Sequence, residues 1–253
     1  LSERLAQFIK APVSLGDEER KLCIRSILDT MGAMVLGSRT PVMEKALRIT
    51  PRAGQATVAG IGIGFTARDA AFLNGISGHE LELDDTSSSN LGHPTVAVLP
   101  TLLALGEELE ISGEELIQSF AVATEIECKM GRICARALHE RGWHASSITG
   151  VLGAAAGAAY LYKLSLEEIV NCLGLAASMA SGVRENFGTD AKSVHIGKCA
   201  SDGILAAQLA KEGCTASDSA LDGREGYLYE YTGQRFGPFD DNWAATLGNR
   251  YDI

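Results

Sequence analysis

Three short segments carry side chains whose types and spacing suit proton transfer on an anion. The first reads His79-Glu80-Leu81-Glu82-Leu83-Asp84-Asp85-Thr86 and is followed by Gly92-His93-Pro94. The carboxylates of Glu80, Glu82, Asp84 and Asp85 repel one another, which raises some of their pKa values and suits acid–base work. With His93 or His79 as a nitrogen donor the same set suits a divalent metal, and a solvated acidic turn that caps a helix fits as well. The second reads Arg141-Gly142-Trp143-His144-Ala145-Ser146-Ser147. A histidine at the start of a Gly/Ala-rich helix meets the positive end of the helix dipole, which favours a neutral imidazole; simple capping or packing is the alternative. The third runs from Gly188 to Lys198 and gathers Lys192, His195 and Lys198 at a helix start. Cations at a helix N-terminus make a site for carboxylate or phosphate, against the alternative of a solvated basic face.

A cleft that joined these segments would hold carboxylates, two imidazoles and an anion-binding lysine. Chemistry at a carbon beside a carboxylate needs that set: a group that removes or returns the proton, and cationic donors for the charge that develops on oxygen. Hydration, dehydration, decarboxylation and epimerisation share the demand. Two readings of other classes stand beside it. One is a metal-dependent hydrolase built on Glu82, Asp84, Asp85 and His93; the other is a catalytically silent helical dimerisation module.

The elements that must position these residues are mostly helices. Residues 1–10 read as a short helix. Asp17, Glu18 and Glu19 open a second, with Ile24, Ile27, Leu28, Met31, Met34 and Val35 at the spacing of one buried face and Gly37 as its C-cap. Residues 51–65 have strand character. Their Gly60-Ile61-Gly62-Ile63-Gly64 run lacks the spacing and the context of a dinucleotide loop, so a small hairpin is expected there. Helices follow over 66–81 and 95–109. Ser112 with Glu115 and Ser165 with Glu168 are capping boxes that open two more. Between them, residues 147–162 place Gly150, Gly153 and Gly157 near one helical face, which implies close approach of neighbouring backbone. A last helix is expected over 196–211, closed by Gly213. The sum is an all-α multi-helix bundle with one short strand or hairpin near 56–64.

Composition agrees with a packed core: 46% of the 253 residues are hydrophobic, 21% charged and only 6% aromatic, while 28 are glycine. The net charge of −10 argues against nucleic acid and anionic membranes as partners. No stretch reads as a membrane span or a signal peptide, and the six cysteines, with no CxxC pair, read as reduced core residues of a cytoplasmic protein. After Asp218 the chain becomes rich in Gly, Asp and aromatic residues and ends without a stop signal.

The three segments, in this order, resemble the MmgE/PrpD family, which includes 2-methylcitrate dehydratase, cis-aconitate decarboxylase and iminodisuccinate epimerase. The resemblance rests on residues 79–86, His93-Pro94, 112–116, 142–144, 150–159 and 192–197, with 56–60 and 69–78 in support, and it runs to about Gly226. It implies a large helical domain over 1–226. It also implies a homodimer, no metal or organic cofactor, and a small polycarboxylate substrate. An α/β lid would be largely absent here, with residues 227–253 as the start of that second domain or a linker. It assigns catalytic roles to Glu82, Thr86, His93, His144 and Lys192; Asp84, Asp85, His195 and Lys198 then bind substrate or orient the histidines. The implied activity is a cofactor-independent lyase or isomerase, 2-methylcitrate dehydratase-like, with decarboxylase-like or epimerase chemistry as alternatives within the family. Glu82 departs from the usual Asp, Asp190-Ala191 from a neutral residue plus Thr, and Ser193 from Pro.

Overall fold

The computed structural model describes residues 1–249 and Tyr251. In chain order the elements are α1 (Ser2–Lys10), α2 (Asp17–Gly37), α3 (Pro41–Ile49), β1 (Ala56–Val58), β2 (Gly62–Phe65), α4 (Ala67–His79), α5 (Pro94–Leu109), α6 (Gly113–Glu140), α7 (Ala145–Leu161), α8 (Leu166–Met179), a 3-10 turn (Arg184–Asn186), α9 (Asp190–Lys211), α10 (Tyr227–Thr232) and α11 (Asp241–Ala244). The fold is therefore an all-α bundle with one antiparallel β1–β2 hairpin. Both capping boxes form: Ser112 Oγ accepts from the Glu115 backbone N–H and Ser165 Oγ from that of Glu168, so each helix starts where a side chain satisfies an otherwise orphan donor.

The bundle is built around α7. All its residues except Tyr160 are buried, and it packs against α5, α6, α8 and α9. Its Ala/Gly composition permits this. A Cβ on Gly153 would lie 2.9 Å from the Ala123 carbonyl oxygen of α6, and one on Gly157 would lie 2.6 Å from Leu102 of α5. A second close crossing joins α4 to α9, where a Cβ on Gly75 would come within 2.7 Å of Gly197 Cα. These contacts bring helix ends together at one side of the bundle.

Helix α2 turns a different face inward from the one its apolar spacing suggested. Cys23, Ile27, Thr30, Ala33, Met34 and Gly37 are buried, whereas Leu28 is 63% and Val35 51% exposed, with Ile24 and Met31 also exposed. The reason is steric. Any Cβ at Gly37 would sit 1.8 Å from the Ser77 carbonyl oxygen, so α2 approaches α4 through Gly37, with Met34 packed against Gly78. Helix α8 ends at Met179, and α9 begins at Asp190, six residues before the expected start. The Thr189 side chain caps α9 by accepting from the Ala191 N–H at 3.3 Å, which puts Lys192 and His195 within its first two turns.

After residue 226 the chain keeps packing on the same core. Tyr227 and Leu228 are buried in it; Tyr227 Oη donates to the Ile148 carbonyl at 3.0 Å and Tyr231 Oη to that of Ala180 at 2.6 Å. Five cysteines are buried and Cys214 is exposed. Among the described residues, no helix is long and apolar enough to cross a membrane.

Candidate active site

Four helix ends converge on one cluster of imidazoles. His79 is the last residue of α4, His93 the N-cap of α5 and His144 the N-cap of α7; Lys192 and His195 lie at the start of α9. Neither N-cap histidine uses its ring to cap its helix, so both rings are available to the cluster. Three helix N-termini facing one place favour negative charge there. The approach to α7 is held by the segment after α8: the His144 N–H donates to the Gly182 carbonyl at 2.9 Å, and Trp143 pairs with Val183 in an isolated bridge. Gly182 has φ +128°, and a Cβ there would lie 3.2 Å from the His195 ring.

At the centre, Asp84 Oδ2 lies 2.8 Å from His79 Nδ1 and 3.2 Å from His93 Nδ1. The Asp84 and His79 side chains are fully occluded and that of His93 is 18% exposed. The contact with His93 is at ion-pair distance, and Asp84 acts on that ring both as a hydrogen-bonding acceptor and through its charge. The His79 and His93 rings meet edge to face at 4.8 Å, and His79 stacks on His144 at 5.5 Å. His144 Nδ1 lies 3.3 Å from His195 Nδ1, and Phe187 closes the far side against the His144 ring at 4.9 Å. Lys192 Nζ sits over Phe187 and 2.8 Å from Glu82 Oε1. Glu82 reaches it from a left-handed backbone, φ 52°, a conformation costly for a residue with a Cβ.

This arrangement drives the titratable groups apart. Burial pushes Asp84 upward, but the hydrogen bond and charges of His79 and His93 outweigh it and hold the carboxylate well below its usual range. Burial would lower His93, yet the Asp84 carboxylate more than offsets it, so His93 is raised. His144 is pushed down to about 2, first by burial and then by the charges of His79, His195, Lys192 and His93. Burial also lowers His195, with His79 adding to the effect, and it lowers His79 despite Asp84. Glu82 is lowered by its bond to Lys192. The cluster thus shifts two of its imidazoles in opposite directions, His93 upward and His144 downward, the kind of separation that acid–base sites use.

His93, His144, Lys192, Glu82, Asp84 and His195 are brought together, as the sequence led one to expect. Three other expected residues are not. Asp85 caps the start of α5, accepting from the Thr95 N–H at 3.2 Å and from its hydroxyl. Thr86 is exposed and lines a separate cavity of about 720 Å³ with Ser87, Ser88, Lys129 and Arg132. Lys198 turns to the Met179 carbonyl at 2.9 Å and pairs with Asp202. Asp84, expected either to bind substrate or to orient the histidines, is occluded between two of their rings. His79 had stood out only as a metal donor, and Phe187 left no signal in the sequence.

His79, Asp84 and His93 also form a group whose donor atoms lie within 4.8 Å of one another. Both rings lean on the same Asp84 carboxylate oxygen at hydrogen-bond or ion-pair distance.

Comparison with known proteins identifies the family. The family model for the MmgE/PrpD N-terminal domain matches residues 3–237. The chain belongs to the MmgE/PrpD family. It is 35% identical over 212 residues to the cis-aconitate decarboxylase of Homo sapiens, covering 80% of this chain and 44% of that protein. It is 31% identical over 229 residues to that of Mus musculus, covering 87% and 45%, and 30% identical over 206 residues to that of Aspergillus terreus, covering 78% and 42%. The chain spans less than half the length of these relatives.

Proposed function

We propose that this chain is the histidine-bearing helical part of a cofactor-independent lyase or isomerase that acts on a small polycarboxylate. Lys192, at the N-terminus of α9, binds a substrate carboxylate once that anion displaces Glu82 from its 2.8 Å contact. His144 takes or delivers the proton at carbon. For its Nε2 to carry a lone pair, its Nδ1 must hold the hydrogen and donate to His195 Nδ1, 3.3 Å away. His195 is therefore the residue that selects the basic tautomer. His93, kept cationic by Asp84, is the matching acid. It protonates the departing group or the carbon that keeps the electron pair.

The single observation that carries this reading is the meeting at four helix ends of His93 against Asp84, buried His144 against His195, and Lys192, an arrangement that pushes His93 upward and His144 downward. Decarboxylation of a cis-aconitate-like acid is favoured among the reactions that fit, since the relatives bear that name. In that reaction the carbon–carbon bond breaks, its electron pair passes to the carbon framework, carbon dioxide leaves, and an imidazolium returns a proton. Dehydration, as in a 2-methylcitrate dehydratase, and epimerisation use the same two groups. Assembly as a homodimer and a cytoplasmic setting complete the proposal.

The test is incubation of the intact protein with citrate-like and aconitate-like acids in deuterated water. Carbon-bound deuterium or released carbon dioxide is expected, and His144→Ala should abolish both. No exchange with any such acid would favour the silent dimerisation module, and unchanged exchange in His144→Ala would refute the role given to that residue.

A further inference from the structure

The loop that carries His93 turns its side chains against ordinary hydrophobic logic. Of residues 85–92, Asn90 alone is buried, with no exposed surface, while its neighbour Leu91 is 47% exposed and takes a left-handed backbone, φ 49°. A loop that buries a carboxamide and exposes a leucine is governed by a hydrogen bond. Asn90 Nδ2 donates to Glu127 Oε1 at 2.7 Å. Glu127 lies in the middle of α6 and is itself completely buried. One turn further on, Gly131 provides a flat seat: a Cβ there would lie 2.5 Å from Asn90 Cα.

We propose that Glu127 and Asn90 form an uncharged acid–amide pair that pins this loop, and that both are positioning residues for His93. The second acceptor of each group, Glu127 Oε2 and Asn90 Oδ1, is buried without a hydrogen-bond partner. Two acceptors cannot satisfy each other, and a proton on Glu127 supplies the missing donor. Among the described residues no ion pair reaches Glu127. The ionisable groups that face it are Asp85 from the same loop, Cys199 from α9 and Tyr227 from α10, none of them a cation. Burial and the Asp85 charge accordingly raise the Glu127 carboxyl well above its usual range. The pin acts on His93 through two intervening residues. Gly92 is pressed against Ser146, and the His93 N–H donates to Ser146 Oγ at 2.9 Å, which sets the ring at its 3.2 Å contact with Asp84.

The proposal rests on the functional reading for its consequence in catalysis, not for its test. The His93 ring is titrated by NMR in the intact protein carrying Glu127→Gln, Glu127→Leu or Asn90→Ala, with the His195 ring as an internal reference. Glu127→Gln keeps one donor and one acceptor facing Asn90, so its His93 midpoint should stay within about 0.2 pH units of the parent. Glu127→Leu and Asn90→Ala should move it by more than about 0.5 units toward the ordinary value as the Asp84 contact opens, with His195 unmoved. If turnover is measurable, those two variants should lose about tenfold or more in kcat with KM changed less than about threefold. An unmoved His93 midpoint in both Glu127→Leu and Asn90→Ala would overturn the proposal. So would a Glu127→Gln protein as perturbed as Glu127→Leu, since that result requires an ionised carboxylate. If Glu127→Leu does not fold, Asn90→Ala removes the same bond from the loop side. A parent protein that titrates as expected but turns over no acid counts against the functional reading and leaves the pin intact.

Discussion

Replacing Asp84 with Asn removes the charge that holds the two imidazoles while nearly preserving shape. At the observed 3.2 Å from Asp84 Oδ2 to His93 Nδ1, a pair of unit charges interacts by about 5 kcal/mol at an effective dielectric of about 20 and about 1 kcal/mol at about 80. The His93 side chain is 18% exposed, so the true value lies between these limits. Even the smaller figure corresponds to about one pKa unit. Burial opposes the charged ring and is untouched by the substitution, so His93 in Asp84→Asn should titrate below its ordinary 6.5, having titrated above it in the parent. The sign of the stability change follows. In the parent, His93 contributes stability that is complete below about 6.5 and is lost as pH rises through its raised value; in the variant the ring becomes a group that costs stability as pH falls. The unfolding free energy difference between the two proteins should thus be larger at about pH 5.5 than at about pH 8, on top of about 1–3 kcal/mol for the weakened bond to His79. Ring titration by NMR and urea unfolding at the two pH values measure both effects. A His93 midpoint unchanged within about 0.3 units, or equal destabilisation at both pH values, would refute the assignment of Asp84 as the charge that holds His93.

Three further outcomes are expected. His79, His144 and His195 are all lowered, burial being the first cause in each. Their unfolded counterparts take up protons below about pH 6.5 and the folded rings do not, so each subtracts up to about 1.4 kcal/mol per pH unit. Urea midpoints should fall between about pH 7 and pH 5, and a rise would contradict the burial of these rings. Gly197→Ala should destabilise by at least about 1–3 kcal/mol, because its Cβ would meet the Phe72 carbonyl oxygen at 2.4 Å; unchanged thermal unfolding would mean that α4 and α9 do not cross there. Lys192→Met should raise KM for a polycarboxylate by about tenfold or more, whereas Lys198→Met, whose nitrogen is held by Met179 and Asp202, should leave it unchanged. Equal effects from the two lysines would contradict the placement of Lys198 outside the cluster.

The helices were legible wherever a local interaction sets them. The capping boxes at Ser112/Glu115 and Ser165/Glu168, the hairpin near 56–64 and the small-residue face of Gly150, Gly153 and Gly157 all depend on residues within a few positions of one another, or on a requirement for space that only glycine meets. Local spacing misjudged α2, because periodicity marks apolar residues but does not say which stripe can approach α4 closely enough. The site was legible as a set of residue types, and its resemblance to a family followed from their order along the chain. Which members meet was decided by the tertiary fold. Asp84 and Asp85 are adjacent in sequence, yet one is shut between two imidazoles and the other caps α5. Lys192 and Lys198 share a helix, but six residues place them toward different neighbours. His79 joined the cluster because α4 ends against the start of α9, through contacts more than a hundred residues apart in sequence. The sequence determined which chemical groups were available and the helices that carry them. The convergence of four helix ends, and the buried field that shifts His93 upward and His144 downward, exist only in the folded chain, since burial and charge proximity are properties of distance in space.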